Sequence, residues 1–409
     1  MLTRCVAVDP LTFAQDYWGR QPLLTRAGDL PRPFDDLLSP DAVDELIAER
    51  GVRTPFIRMA REGKLVDREK FVGTAGFGAE MPDQVDSAKV LNQFANGSTL
   101  VLQGLHRLWP PIIDFVREAV DDLGHPVQAN AYITPASNRG FDPHYDVHDV
   151  FVLQVSGRKH WTIHAPVYTD PLSSQPWSDH RSAVEARATE NPVIDTILEP
   201  GDALYLPRGW LHSARALGET SIHLTVGVAA ITTYDVVRAI VDELAATEQL
   251  RGSLPMGVDL TSADEVAAIA QKTVAILSDA LRDAPSAIAE GAGARVSRSF
   301  AERTRPVAVR PLATVVAAEK LDGSTVVQWR HALTGRLVPR GDGVRLRLRD
   351  RSIDFPGSCA EALEALRGGT PIAAGALPGL DADDGVVLAR RLLREAVVVV
   401  ANPVSGQSG

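Results

Sequence analysis

The spacing of apolar residues divides the chain into a strand-patterned central segment with helix-patterned segments on either side. Across residues 129–228, short apolar runs alternate with turn residues, which is the pattern of β-strands. Val150–Val155 and Lys159–Ile163 are two such runs, and Ser156-Gly157 between them predicts a β-hairpin. Closely spaced strands of this kind favour an antiparallel roll of two sheets.

Apolar residues recur at helical spacing before and after the strands. Phe13, Tyr17 and Trp18 predict one helix near the start, and Asp41–Arg50 predicts another. Residues 233–295 carry two apolar stripes: Val236, Ile240, Val241 and Leu244, and then Val266, Ile269, Val274 and Leu277. The simplest interpretation is a helical layer packed on the same chain, and the alternative is a homodimer interface.

Short strands return towards the C-terminus and alternate with helical patterns. Val326–Trp329 and Val344–Leu348 read as strands, and Cys359–Leu366 and Asp384–Leu393 read as helices, so we expect a small α+β domain of winged-helix type. The resulting division has four parts: a helical N-terminal part at 1–97, a mainly β domain at 98–232, a helical region at 233–295 and the α+β domain at 296–409.

Composition narrows the class of protein. Lys and Arg number 42 against 52 Asp and Glu, a net charge of −10 over 409 residues, which argues against binding nucleic acid by bulk charge. The chain has two cysteines, far apart, so we expect neither a disulfide framework nor a thiolate metal site. The sequence shows no signal peptide and no long apolar run, and we expect a cytoplasmic protein that does not enter the membrane.

Three residues could share one metal ion. His144 and Asp146 stand at i and i+2, and on an extended backbone such residues point to the same face. A third ligand is offered by His212, which follows Pro200-Gly-Asp, a buried strand and a second turn at Pro207-Arg-Gly. Two imidazoles and one carboxylate are the ligand set of non-haem Fe(II) oxygenases. A hydrolytic zinc site is the chemical competitor.

Other histidines are weaker candidates for the same site. His148 would share the strand face of His144 and Asp146, so it is a candidate for a group that supports the ligands. His223 lies on a strand near Thr225, and we expect it to be structural.

Four segments together resemble a known family. Phe13–Leu24, Asn130–Asp146, Gly157–Trp161 and Pro200–His212 resemble the cupin-4 group of JmjC oxygenases, which includes the ribosomal oxygenases. The resemblance implies a double-stranded β-helix, or cupin jelly roll, as the catalytic core, followed by a helical dimerisation region and a C-terminal winged helix. It also implies Fe(II), the cosubstrate 2-oxoglutarate and O2.

The resemblance assigns roles to individual residues. His144, Asp146 and His212 match the iron ligands. Lys159 matches the basic residue that pairs with the distal carboxylate of 2-oxoglutarate, and a dianion chelated at one end does need a cation at the other. Three further residues match positions that hold the cosubstrate or line the pocket: Thr225, Asn130 and Tyr132.

The family's substrates are arginine or histidine side chains of ribosomal proteins, and the sequence gives conflicting hints between them. Lys159 resembles the histidine-hydroxylating branch, but that branch carries a serine where this chain has Gly227. Two alternatives stay open: the same chemistry on a biosynthetic peptide or other non-ribosomal substrate, and a non-catalytic metal-binding cupin module. A histone demethylase is disfavoured because no zinc-finger reader motif accompanies the site.

Overall fold

A computed structural model describes residues 1–61, 63–78, 80–136 and 142–401. The chain forms two compact units, Met1–Thr232 and Thr233–Gly409. Within the described residues, no helix is both long and apolar enough to cross a bilayer.

The first unit consists mostly of short strands. Its strands are β1 Leu23–Thr25, β2 Ile57–Arg61, β3 Lys64–Leu65, β4 Val72–Gly73, β5 Gln84–Val85, β6 Thr99–Leu102, β7 Val127–Thr134, β8 Asp149–Ser156, β9 Lys159–His164, β10 Ile194–Leu198, β11 Ala203–Leu206, β12 Leu211–Ala216 and β13 Ser221–Val228. Its helices are α1 Pro10–Thr12, a π-helical turn Phe13–Tyr17, α2 Pro40–Ala48, α3 Ser87–Ala95, α4 Pro110–Leu123 and α5 Arg181–Arg187.

Two antiparallel sheets make up the core of this unit. The larger sheet has eight strands in the order β1-β11-β8-β13-β7-β6-β2-β3, and the smaller has the order β10-β9-β12. Val152 and Leu204 of the larger sheet pack with Trp161 and Ile163 of the smaller one, so the two sheets face each other. The predicted double-sheet roll is confirmed, but the β-hairpin predicted at Ser156-Gly157 is wrong, because β8 pairs with β11 and β13 whereas β9 pairs with β10 and β12 in the other sheet.

Strand β8 shows why the central runs are continuously apolar. Alternate residues of a strand face opposite sides of its sheet. Val150 and Val152 pack towards the smaller sheet, whereas Phe151 and Leu153 pack into the main core on the other side. Because both faces of this strand are buried, its sequence shows no apolar–polar alternation.

The expectation of a helical N-terminal part is only partly right. Residues 1–97 contain α1, α2 and α3, but β1, β2 and β3 from the same segment extend the larger sheet at its two edges. β1 pairs with β11, with Leu24 opposite Leu204. Strands of two to five residues are too short to show a period of two, and for that reason the apolar pattern did not reveal them.

The second unit is α+β. Its helices are α6 Thr233–Glu243, α7 Ala263–Asp283, α8 Pro285–Thr304, α9 Pro311–Lys320, α10 Ala360–Arg367 and α11 Ala382–Arg394, and its strands are β14 Val326–Trp329, β15 Gly335–Arg340, β16 Gly343–Leu348, β17 Ser352–Pro356, β18 Ile372–Ala373 and β19 Val398–Val400. The strands form two three-stranded sheets, β18-β14-β19 and β15-β16-β17. Trp329, Leu346, Leu363 and Leu392 belong to one buried core.

Candidate metal centre and its pockets

The three residues singled out as metal ligands meet at one point. One donor atom from each of His144, Asp146 and His212 lies within 4.8 Å of the other two. His212 Nε2 is 3.7 Å from an Asp146 carboxylate oxygen, and the centroids of the two imidazole rings are 4.5 Å apart. This spacing allows a single ion to contact all three side chains.

Backbone hydrogen bonds hold the two ligand segments together. The amide of His144 donates to the carbonyl of His212 (3.2 Å), and the amide of His212 donates back (2.8 Å). The amide of Gly209 donates to the Asp146 carbonyl (3.0 Å), with Gly209 at a φ of +86°. Segments far apart in sequence are therefore fixed in register at the site.

Each histidine ligand is oriented by a nearby carbonyl. His144 Nδ1 lies 2.7 Å from the Asp142 carbonyl oxygen, and His212 Nδ1 lies 3.1 Å from the Trp210 carbonyl oxygen. A carbonyl accepts but cannot donate, so each Nδ1 carries the proton and the lone pair of each ring lies on Nε2. The tautomer suited to metal binding is thus set by the backbone.

The protonation states also suit a cation. Burial opposes ionisation of Asp146, but His212, His148, His144 and Arg58 together hold its pKa below the usual value. Burial, together with the neighbouring His144, lowers the pKa of His212 to about 4. At neutral pH the cluster therefore offers an ionised carboxylate and a neutral His212 imidazole, which are the forms that ligate metals.

A buried lysine lies in the pocket beside the cluster. Lys159, on β9, is 3% exposed, and its ammonium nitrogen donates to the Thr134 hydroxyl at 3.0 Å. Burial lowers its pKa to about 7. No carboxylate pairs with Lys159 among the residues that the structure describes. A buried amine without a counter-ion suits an anionic ligand.

Two other polar atoms in this pocket have no hydrogen-bond partner among the residues that the structure describes. They are the indole nitrogen of Trp161 and Nδ1 of His223, and both are buried. Both side chains line the same pocket of about 590 Å³ as Lys159, and so do Tyr132 and Thr225. Buried polar groups normally have partners, so these atoms and Lys159 fit a polar, anionic ligand such as a dicarboxylate.

His223, which we expected to be structural, has a ring that lines the pocket and stacks on Tyr132 at 5.1 Å, so it becomes a further candidate for ligand binding. The strand period could have revealed this. His223 and Thr225 stand two apart on β13 and therefore share a face.

A second cavity reaches the metal cluster through other residues. We call it the mouth groove; it spans about 940 Å³, part of which is open to solvent. It is lined by Pro55, Phe56, Arg58, Gln103, Gly104, His106, Arg107, Gln128, Asn130, Tyr132, Asp146, His148 and Thr225. It shares Tyr132, Asp146 and Thr225 with the pocket lined by Lys159, Trp161 and His223, which we call the lysine pocket. Asn130 lines only the groove, where its side-chain oxygen accepts from the Gly104 amide at 3.0 Å.

Arg58 is a groove residue that the sequence did not single out. It lies on β2, a short strand next to the edge strand β3, and it hydrogen-bonds to the Tyr132 hydroxyl. Burial raises the pKa of Tyr132, and the nearby Arg58 opposes that rise. No motif in the sequence joins residue 58 to the ligand segments, so only the fold reveals this neighbour.

Comparison with known families places the cluster in a known domain. The family model of the JmjC domain matches residues 111–236, which include His144, Asp146, Lys159 and His212. The chain contains a JmjC domain. Within the matched segment, residues 137–141 lie outside those that the structure describes.

Curated relatives of this JmjC domain belong to larger proteins. Ribosomal oxygenase 1 of Gallus gallus is 31% identical over 225 residues, covering 53% of this chain and 34% of that protein. The bifunctional lysine-specific demethylase and histidyl-hydroxylase NO66 of Aedes aegypti is 29% identical over 221 residues, covering 53% of this chain and 32% of that protein. The chain thus spans about a third of the length of these relatives.

A solved structure with a similar fold extends the likeness to nearly the whole chain. The ribosomal oxygenase YcfD from Escherichia coli, determined in complex with cobalt and 2-oxoglutarate, superposes with a TM-score of 0.52 over 97% of this chain and 99% of that one. The sequences are 17% identical, so this match supports the fold.

Proposed function

We propose that the chain is an Fe(II)- and 2-oxoglutarate-dependent oxygenase that hydroxylates an arginine or histidine side chain of a protein. The observation that carries the proposal is that a two-histidine, one-carboxylate cluster adjoins a pocket with a buried lysine, which has no carboxylate partner among the described residues. A hydrolytic zinc site would explain the cluster but gives Lys159 no role.

The cluster would hold the metal through His144, Asp146 and His212. Three protein ligands leave room on an octahedral Fe(II) for a chelating keto acid and for O2. When bound, ferrous iron and 2-oxoglutarate would convert O2 and a substrate C–H group into an alcohol, succinate and CO2, with one oxygen atom entering the substrate and one entering succinate.

The lysine pocket would bind the far carboxylate of the cosubstrate. Lys159 supplies the positive charge, and the Thr134 hydroxyl lies 3.0 Å from its ammonium group. Trp161 and His223 add polar atoms that have no hydrogen-bond partner within the described part of the chain. Because these side chains are buried, the carboxylate would meet little competing water, and its pairing with the ammonium is stronger than at a surface.

A ribosomal protein is the first substrate to test, since similar proteins are named ribosomal oxygenases. The experiment is to incubate the metal-loaded protein and 2-oxoglutarate with ribosomal proteins from a strain that lacks this gene. A gain of about 16 Da on one of them, with a matching amount of succinate, supports the proposal. Succinate formation without any modified ribosomal protein moves the target to a peptide or another protein. No succinate with any protein extract contradicts the oxygenase.

The proposal includes a homodimer formed through the second unit. The outer faces of α6 and α7 expose apolar side chains, among them Tyr234, Val237, Val241 and Val274. The proposed dimer would cover these apolar side chains, which are costly to leave in water. We also infer that the C-terminal part of this unit is a winged helix, in which β15–β16 is the wing and α9, α10 and α11 are the helices.

A further inference from the structure

We propose that His148 is the specificity-determining residue of the mouth groove, and that the groove admits an uncharged, hydrogen-bonding target side chain rather than a guanidinium or an ammonium. This inference rests on the proposed oxygenase function and narrows its substrate. It begins with a glycine on β13.

Gly227 leaves space that the His148 ring fills. A Cβ atom added at Gly227 would lie 2.6 Å from His148 Cδ2 and 2.9 Å from Nε2. Such contacts are far shorter than van der Waals separation, so no larger residue at 227 is compatible with this position of the ring. The His148 imidazole therefore occupies the space into which a side chain at residue 227 would project. Residue 227 lies on β13, the strand that also carries Thr225.

The ring is available to a ligand. His148 is half-buried and makes no hydrogen bond with any residue that the structure describes. It lines the mouth groove together with the amides of Gln103, Gln128 and Asn130. An imidazole and several amides can both donate and accept hydrogen bonds, so this lining suits a neutral polar group.

Charge in the groove disfavours a cationic target. Arg58 and Arg107 line it, and Asp146 is the one carboxylate among the described lining residues. In the loaded enzyme the charges of a divalent metal and Lys159 are matched by those of Asp146 and a dicarboxylate. Arg58 and Arg107 then give the groove a net positive charge. A target arginine or lysine would lie near them without a counter-ion.

The first test identifies the residue type that is modified. Ribosomal proteins and, separately, a whole soluble extract from a strain lacking the gene serve as substrates, and tandem mass spectrometry locates each added oxygen. Oxygen on histidine, asparagine or glutamine supports the inference. Oxygen on arginine or lysine overturns it while leaving the oxygenase function intact. If neither extract gains oxygen and no succinate forms, both the function and the inference fail.

The second test introduces a side chain at residue 227 of β13, with and without the His148 imidazole. We expect Gly227→Ser to lower the melting temperature in the presence of His148 and to lower it much less in the His148→Ala background, because the clash is then gone. The double variant is compared with both single variants by melting temperature, a measurement that does not depend on activity. Equal destabilisation in the two backgrounds would overturn the steric relation.

A matched pair of variants separates positioning from packing. His148→Leu should raise the KM for the modified protein by tenfold or more while changing the KM for 2-oxoglutarate by less than twofold. His148→Gln keeps a hydrogen-bonding group and should recover most of that loss. Similar KM values for the protein in the leucine variant and in the unchanged enzyme would overturn the assignment of His148.

Discussion

At the scale of single residues, the account depends on Lys159 being an ammonium when it binds the cosubstrate. Lys159→Ala removes a charge-assisted hydrogen bond, which contributes about 1.5–3 kcal/mol, so the Kd for 2-oxoglutarate should rise by about 10- to 100-fold. Metal affinity should change much less, because Lys159 is not a ligand. Calorimetric titrations of metal and of 2-oxoglutarate measure the two effects separately, and equal losses of both would contradict this role.

The pH dependence of cosubstrate binding follows from the same lysine. Burial lowers its pKa to about 7, so above pH 7 the free protein holds mostly a neutral amine, which must take up a proton to pair with a carboxylate. The affinity for 2-oxoglutarate should therefore be highest below pH 7 and fall as the pH rises above it. Titrations in buffers of different ionisation enthalpy should detect proton uptake above pH 7.

Lys159→Arg is the control for this pH effect, because a guanidinium stays protonated. In that variant the affinity for 2-oxoglutarate should no longer fall above pH 7, whatever its value at neutral pH. A decline that persists in the arginine variant would show that another group causes it.

At the scale of elements, the turn before β12 delivers His212 to the cluster. Gly209 has a φ of +86°, and an added Cβ would lie 2.7 Å from the Tyr168 carbonyl oxygen and 2.9 Å from Pro171. Gly209→Ala should therefore destabilise the fold by strain and by overpacking, and should weaken metal binding by moving the turn. Denaturant unfolding and metal titration measure these two effects.

Gly218 provides a matched control in the turn before β13. Its φ is +80°, but an added Cβ would meet nothing within 4 Å. Gly218→Ala introduces only backbone strain, whereas Gly209→Ala adds overpacking, which costs about 1–3 kcal/mol. Gly209→Ala should therefore lower the free energy of unfolding by that much more than Gly218→Ala does. Equal losses of stability and normal metal affinity in both variants would contradict the role given to the 209 turn.

At this scale, the positions of the metal ligands and of the lysine pocket could be predicted from sequence. His144 and Asp146 share a face because the chain is extended there, and the paired motif around His212 carries its own turn residues, so the meeting of the three was foreseeable. The lysine pocket follows from the strand period, which sets Lys159 and Trp161 on one face of β9. The same period applies to β13, where it sets His223 on the face of Thr225, and both line the lysine pocket.

Arg58 and the role of Gly227 were not foreseeable. Arg58 comes from the short strand β2, which shows no clear period, and it reaches the site only because β2 joins the larger sheet between β6 and β3. The relation of Gly227 to His148 is a close approach between a strand and a loop, and sequence spacing holds no information about it. In both cases long-range packing, rather than local pattern, decides which side chains meet.

At the scale of the whole molecule, the proposed dimer makes a distinct prediction. Val241 on α6 is 52% exposed and belongs to the apolar stripe of that helix. Val241→Glu would place a charge in an apolar interface and should convert a dimer into a monomer, as measured by light scattering after size exclusion. Val387→Glu on α11, where the valine is 61% exposed, should leave the mass unchanged. A monomeric unaltered protein would contradict the dimer.

The central claim is that one ferrous ion and 2-oxoglutarate bind together at His144, Asp146 and His212. Anaerobic addition of both to the protein tests it most directly, because an iron-chelated keto acid gives a visible charge-transfer absorption. The account predicts this band in the unaltered protein, its loss in His212→Ala and Asp146→Ala with folding retained by circular dichroism, and a higher 2-oxoglutarate requirement in Lys159→Ala. No band in the unaltered protein, or an undiminished band in the folded His212→Ala variant, would contradict it.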